Sequence, residues 1–311
     1  NKVILDTDPG IDDAMAIYFA IQSPQIELLG LTTVFGNIDV ELATLNALRL
    51  LEHANVDLPV CKGAAMPHVG PESTYARFVH GDDGLGNIQM PPPKTSADNR
   101  TAAEFIIEMA HKYPNEITLV PIGPLSNIAL ALKLEPKLPE LIKSVNIMGG
   151  AAMVPGNVTP VAEANIWNDA YAADIVFSAG WDVKMFGLDV TYDIPFPPEF
   201  VDILADKNPR LGGLVAQAAQ FYIKFYSRGK DKDMCYFHDA FPLAYIVEPN
   251  LFTLTTGNIR IGTDPLHKGQ TSFAPLGSTA SELWTHTPEV QVATAVDHDT
   301  LTKLFIQTYA R

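Results

Sequence analysis

Cysteine is scarce in this sequence, and the cysteines are not spaced as in a redox-active motif. Cys61 and Cys235 are the only two among 311 residues, and no CxxC pair is present. A disulfide framework is therefore not expected. Both residues lie in apolar stretches, which predicts buried thiols rather than reactive ones.

Long apolar runs are also missing. No stretch reaches the roughly 18 residues that a membrane-spanning helix needs. The chain opens almost directly on a strand-like run, NKVILDTD, without the basic segment and longer apolar segment of a secretion signal. These absences predict no membrane association and a cytoplasmic location. Because residue 1 is Asn rather than Met, removal of an N-terminal segment stays an open alternative.

Positive charge is the third property in short supply. The chain has 21 Lys and Arg against 36 Asp and Glu, which gives a net charge of −15. Such a surface repels phosphate backbones and anionic lipids, so no nucleic-acid partner is expected. No GxGxxG follows a strand-like run, which argues against a dinucleotide-binding enzyme. A neutral small molecule or a cation remains as the expected ligand.

What the sequence does contain is an alternation of strand-like and helix-like runs. Apolar side chains make up 47% of the chain, enough for a sizeable core. Helical spacing predicts helices over 11–22, 40–53, 105–111, 126–133, 170–178 and 211–226. Apolar runs predict strands over 3–5, 26–34, 117–121, 145–148 and 183–188, then strands and turns over 252–292. The alternation predicts an α/β fold with a mostly parallel central sheet flanked by helices, a single domain over 1–311 with an irregular C-terminal part.

The densest group of acidic residues is the segment DTDPGIDD at 6–13, where an apolar strand gives way to a helix. Ligands bind outside the carboxyl ends of strands in parallel sheets, and the Pro-Gly pair predicts a turn that lets Asp8 face Asp12 and Asp13. Crowded carboxylates repel one another unless a cation compensates them. A helix N-terminus offsets only about 0.3–1 kcal/mol per group. An all-oxygen set favours Ca²⁺ or Mg²⁺ over zinc, so the segment predicts a metal site.

In its wider form, VILDTDPGIDDAMAI, this segment resembles the N-terminal motif of the inosine-uridine preferring nucleoside hydrolase family. Six further segments resemble motifs of that family in the same order: TTVFGN (32–37), HGDDGLG (80–86), LVPIGPLSNIA (119–129), NIMGG (146–150), VAEANIWND (161–169) and FHDAF (237–241). The resemblance implies an enzyme that hydrolyses the N-glycosidic bond of ribonucleosides, pyrimidine nucleosides or inosine, to ribose and free base.

The resemblance also implies a metal centre. Asp8 matches the family residue that binds the metal and activates the attacking water, and Asp13 and Asp239 match further carboxylate ligands. The backbone carbonyl of Ile122 completes the implied set. Family members often carry Thr at this position, so any contribution of a Thr hydroxyl would be lost here. The implied cofactor is one Ca²⁺ per subunit, and the implied assembly is a homodimer or homotetramer.

The resemblance of the same motifs also implies which residues contact the substrate. The residues that match ribose contacts are Asp12, Asn37, Asn157, Glu163 and Asn165. Those that match the base pocket are His80, His238, Tyr222 and Tyr226, with His238 as the group that protonates or orients the leaving base. Met148 is a further candidate contact to the sugar. Each type also has a plain structural interpretation, since Asn and Asp cap turns, and Tyr and Met fill cores.

Two other functions stay open on the residues alone. A phosphohydrolase of the haloacid-dehalogenase type also places Asp-x-Asp after its first strand, as Asp6-Thr7-Asp8 does. It would leave the segments at 161–169 and 237–241 unexplained. A non-catalytic nucleoside- or sugar-binding protein is the second alternative, and the presence of a water-activating acid at Asp8 argues against it. The base preference is left open because it depends on loops over 75–90 and 222–236.

Overall fold

The computed structural model describes residues 1–71, 74–278, 284 and 286–311. Within these residues, nine strands form one sheet. They are β1 (Lys2–Thr7), β2 (Glu27–Thr33), β3 (Val60–Lys62), β4 (Ile117–Pro121), β5 (Ser144–Met148), β6 (Val183–Phe186), β7 (Phe252–Ile261), β8 (Thr271–Pro275) and β9 (Glu289–Val296). Their spatial order is β3-β2-β1-β4-β5-β6-β9-β7-β8.

Helices connect most of the strands. They are α1 (Ile11–Gln22), α2 (Val40–Ala54), α3 (Arg77–His80), α4 (Ala102–Lys112), α5 (Ser126–Leu134), α6 (Leu138–Leu141), α7 (Ala164–Asn168), α8 (Ala170–Phe177), α9 (Leu188–Thr191), α10 (Pro198–Lys207), α11 (Leu211–Tyr226), α12 (Phe241–Val247) and α13 (His298–Tyr309). Two short 3₁₀ turns lie at His238–Ala240 and Pro249–Leu251.

Strand direction confirms the predicted fold class. β1 to β6 pair in parallel, and β9 joins β6 in parallel. β7 runs antiparallel to both β9 and β8. The parallel strands are apolar on both faces because helices cover both: Val3 and Leu5 pack into one core, and Ile4 packs into the other. The carboxyl ends of β1 and β4 therefore open at the same edge, between the two helical layers.

Most predicted elements occur, with shifted ends. The helix over 211–226 has the predicted bounds, and Asp39 caps α2 by accepting a hydrogen bond from Leu42 N at 3.0 Å. α4 begins at Ala102, earlier than predicted, directly after its N-cap Thr101, which forms a capping box with Glu104. The prediction of a strand over 183–188 is wrong at its end. Gly187 leaves the sheet there and caps α9.

Candidate active site

The turn after β1 is fixed by one of its own acids. Asp13, in the first turn of α1, accepts hydrogen bonds from Thr7 Oγ1 at 2.5 Å and from Gly10 N at 2.8 Å. Asn37 Nδ2 donates to the same carboxylate at 3.1 Å. These bonds hold the end of β1 against the start of α1, so the acids of the segment converge as the sequence predicts.

Asp8 follows β1 and is buried. Its Oδ2 accepts a hydrogen bond from Asn37 N at 2.6 Å, whereas its Oδ1 has no hydrogen-bond partner among the described residues. Two glycines flank this carboxylate. A Cβ at Gly36 would lie 2.0 Å from Oδ2, and a Cβ at Gly123 would lie 2.5 Å from Oδ1. The carboxylate is thus held in a narrow slot with one oxygen uncommitted.

Asp239 completes an acidic cluster from the other end of the chain. It lies in the 3₁₀ turn before α12, and one carboxylate oxygen each from Asp12, Asp13 and Asp239 lie within 4.8 Å of one another. Burial, reinforced by the neighbouring acids, raises the pKa of Asp12 to about 8 and the pKa values of Asp8 and Asp239 well above their ordinary range. Full ionisation of the cluster therefore requires a compensating cation.

The donor set fits a hard divalent cation. All of the clustered side chains offer oxygen, and the Oδ1 atoms of Asp8 and Asp12 are buried without a partner among the described residues. This trio contains Asp12, whereas the family resemblance implies Asp8 together with Asp13 and Asp239 as carboxylate ligands. Asp8 stands beside the trio, linked to Asp13 through the Asn37 side chain.

The carbonyl of Ile122 lies directly after β4 at the same sheet edge. Its oxygen accepts a hydrogen bond from Asn165 Nδ2 at 2.9 Å, and that amide also reaches Met148 O at 3.2 Å. A carbonyl oxygen has two lone pairs, so Ile122 keeps one acceptor site. Met148 packs against Asn165, with Sδ 3.3 Å from Nδ2.

Backbone N–H groups donate hydrogen bonds to both carboxylate oxygens of Glu163. Its carboxylate caps α7, accepting from Asn165 N at 2.9 Å and Ile166 N at 3.1 Å, and it also accepts from Gly150 N at 2.9 Å. Asn157 Oδ1 likewise accepts from Ala164 N at 3.0 Å. The structural interpretation of these two side chains is therefore confirmed, and their contact with ribose stays a prediction.

Two buried histidines, His80 and His238, also belong to this site. His80 Nδ1 accepts a hydrogen bond from Ile11 N at 3.1 Å, so in the neutral ring its hydrogen is on Nε2. His238 has Nδ1 2.7 Å from Thr191 Oγ1 and Nε2 3.3 Å from the hydroxyl of Tyr226. Burial lowers the pKa of both imidazoles to about 3, which leaves both rings neutral near pH 7.

These groups surround one pocket of about 160 Å³. Every predicted ribose or base contact lines it: Asp12, Asn37, His80, Met148, Asn157, Glu163, Asn165, Tyr222, Tyr226 and His238. Ile122 and Asp239 line it as well. The hydroxyl of Tyr222 donates to Asp12 Oδ2 at 3.0 Å and so links α11 to the acidic cluster.

Several pocket residues were not identified from the sequence. Phe78 lies at the mouth, 64% exposed, with its ring 5.8 Å from that of Phe225. Tyr192 stands edge-on to the His238 ring at 5.1 Å. Phe78 adjoins the HGDDGLG motif and Phe225 adjoins Tyr226, so proximity to a motif was the available signal. Tyr192 had none.

Comparison with known proteins agrees with this geometry. The sequence profile of the inosine-uridine preferring nucleoside hydrolase family matches residues 3–303. Probable uridine nucleosidase 2 of Arabidopsis thaliana is 40% identical over 310 residues, which cover 98% of this chain and 96% of that protein. A plant nucleoside hydrolase superimposes with a TM-score of 0.94 at 36% identity, covering 99% of this chain and 98% of that one. A purine-preferring ribonucleoside hydrolase from Gardnerella vaginalis gives 0.92 at 33% identity, covering 100% and 98%. Among the described helices, none is long and apolar enough to cross a membrane.

Proposed function

We propose that this chain, which belongs to the inosine-uridine preferring nucleoside hydrolase family and hydrolyses the N-glycosidic bond of ribonucleosides, transfers the proton of the attacking water to Asp8. The observation that carries this role is the buried Oδ1 of Asp8, which has no partner among the described residues. A raised pKa makes this carboxylate a stronger proton acceptor once it is ionised. The phosphohydrolase alternative is not favoured, because the family match covers residues 3–303.

For the cation, we propose one Ca²⁺ per subunit, held by Asp8, Asp13, Asp239 and the carbonyl of Ile122. The all-oxygen chemistry of the cluster supports a hard ion, and its buried, crowded carboxyls support a divalent one. Asp12 lies in the same trio, and the cluster borders the pocket through Asp12 and Asp239. When bound, the cation stabilises the ionised carboxylates and eases deprotonation of water.

Ribose recognition is proposed for the amide and carboxylate side of the pocket. Asp12, Asn37 and Asn165 offer both donors and acceptors, which suits hydroxyls that donate and accept. Asn157 and Glu163 hold the loop before α7 while their side chains border the same space. A sugar fixed by several such groups has its reacting carbon positioned relative to the water.

The base is proposed to bind between the two histidines and Tyr226. Because His80 Nδ1 accepts from a backbone N–H, its Nε2 is a neutral hydrogen-bond donor. Uracil carries a carbonyl acceptor at C4 and hypoxanthine carries one at C6, whereas cytosine and adenine carry amino donors at those same positions. Donor groups in the pocket therefore support uridine and inosine as preferred substrates. The name of the Arabidopsis relative agrees for uridine.

The test is ribose release from uridine, inosine, cytidine and adenosine, with and without prior chelation of metal. We expect uridine and inosine to be cleaved fastest, and all release to stop on tight chelation. The Asp8→Asn variant should show no turnover but should still unfold in a cooperative thermal transition. Near-wild-type activity of that variant would refute the role of Asp8. Preference for adenosine would refute the base proposal alone.

The assembly and location are proposals of the same kind. We infer a homodimer or homotetramer acting in the cytoplasm, with residues 1–311 as one domain. One sheet that takes strands from Lys2 to Val296 supports the single domain. Light scattering measures the assembly, and one cooperative melting transition is the result expected for one domain.

A further inference from the structure

We propose that Thr191 is a positioning residue for hydrolysis, which fixes the His238 ring in the tautomer whose Nε2 carries the hydrogen. The inference rests on the proposed role of His238 at the leaving base. Thr191 is fully buried at the end of α9, and its Oγ1 lies 2.7 Å from His238 Nδ1. This distance is a normal hydrogen bond, and either atom could supply the hydrogen.

The hydroxyl's surroundings decide between the two tautomers. Within the described part of the chain, Thr191 Oγ1 has no hydrogen-bond partner other than His238. Other threonines in helices, such as Thr44, donate to the carbonyl four residues earlier, here Val40 O at 2.7 Å. If His238 Nδ1 carried the hydrogen, the Thr191 hydroxyl would accept it, and its own hydrogen would be buried without an acceptor. The arrangement that satisfies both groups has Thr191 donating to Nδ1.

The tautomer of His238 decides whether its Nε2 can donate a hydrogen bond to the substrate. With Nδ1 as acceptor, Nε2 bears the hydrogen and faces the pocket and the Tyr226 hydroxyl, 3.3 Å away. His80 is set in the same way by the backbone N–H of Ile11. Both rings then offer neutral donors to a base that gains negative charge as it leaves. The other tautomer of His238 would direct a lone pair at that charge.

The first test measures the tautomer directly. Histidine labelled with ¹⁵N in the wild-type protein is recorded by NMR without substrate, and H238Q identifies the His238 signals. We expect Nδ1 of His238 to be unprotonated and Nε2 to be protonated. A protonated Nδ1 would overturn the inference. Because no turnover is needed, this result stands apart from whether the enzyme cleaves uridine.

The second test measures the consequence for the reaction. T191V keeps the shape and removes the donor, so kcat for uridine should fall roughly tenfold to a hundredfold with little change in KM. The ratio of uridine turnover to 4-nitrophenyl riboside turnover should fall with it, because nitrophenolate leaves without a donor. T191S should restore the ratio.

A matched control is T308V, which removes a buried hydroxyl in α13 away from the pocket and should keep the wild-type ratio. Equal loss on both substrates in T191V, or no loss on uridine, would overturn the inference. If T191V does not fold, the NMR result of the wild type decides. Failure of the wild type to cleave any nucleoside would instead refute the proposed function.

Discussion

Gly36 carries no reactive group, yet its replacement should remove most of the activity. In Gly36→Ala the new Cβ would lie 2.0 Å from Asp8 Oδ2 and 2.9 Å from Pro124 Cδ, whereas ordinary contact begins at 3.4 Å. The Asp8 carboxylate must therefore retreat by about 3.4 − 2.0 = 1.4 Å, or the loop must move. The loop is tied by the hydrogen bond from Gly36 N to Ile38 O at 3.0 Å, so most of the displacement falls on Asp8.

Two losses follow from that displacement. The hydrogen bond from Asn37 N to Asp8 Oδ2, 2.6 Å long, is broken, and a bond to a charged group contributes about 1.5–3 kcal/mol. Misplacement of a reacting group by about 1 Å costs on the order of 10²-fold in rate. We expect kcat/KM for uridine to fall about a hundredfold and the free energy of unfolding to fall by about 1.5–3 kcal/mol.

The assay combines ribose release with thermal melting, and Gly213→Ala is its control. A Cβ at Gly213, in α11, meets nothing within 4 Å, so this variant should keep full activity. It should also gain about 0.5–1 kcal/mol of stability, because Ala restricts the unfolded chain. Wild-type kcat/KM in Gly36→Ala would refute the reasoning, since it would mean that Asp8 does not need its observed position.

Three further predictions concern charge, substrate binding and helix capping. Burial raises the pKa of Asp6 to about 7 and the pKa of Asp12 to about 8. Up to about pH 8, the folded metal-free protein therefore holds more protons than the unfolded chain. Calorimetry in chelator should show Tm falling from about pH 7.5 to about pH 8.5, a range in which unfolded histidines are largely neutral. Ca²⁺ should raise Tm more at the higher pH, and a rising Tm in chelator would contradict this prediction. Tyr222→Phe removes the hydroxyl that donates to Asp12 Oδ2. The variant should have a higher KM for uridine and should still melt cooperatively. An unchanged KM would show that this hydrogen bond does not shape the pocket. Thr101→Ala breaks the capping box of α4 and should cost about 1 kcal/mol in denaturant unfolding without changing kcat.

The local parts of the site could be predicted from the sequence. The segment at 6–13 combines a strand, a turn and a helix start in eight consecutive positions, so its geometry depends on neighbours along the chain. Asp13 fixes this turn through bonds to Thr7 and Gly10, all within six residues. For the same reason the bounds of α11 followed from the spacing of its apolar residues.

The parts that depend on distant contacts could not be predicted. Thr191 meets His238 across 47 positions, and no pattern near either residue signals the pairing. The spacing of the acids along the chain likewise does not reveal that Asp12 lies within 4.8 Å of Asp13 and Asp239. Glu163 combines two functions that sequence reasoning treats as alternatives, because its carboxylate caps α7 while it also borders the pocket.

Helix α13 has a consequence for the order of assembly. Tyr309 in α13 donates its hydroxyl hydrogen to Met15 O in α1 at 3.0 Å, a contact that spans 294 positions, and Phe305 packs edge-on against Phe19. The helix that bears Asp12 and Asp13 is thus supported by residues that are synthesised almost 300 positions later. On a translating ribosome, the acidic segment emerges early but gains this support only after residue 309 has been made. Closure of so long a loop is slow, so α1 should be among the last parts of the molecule to become rigid.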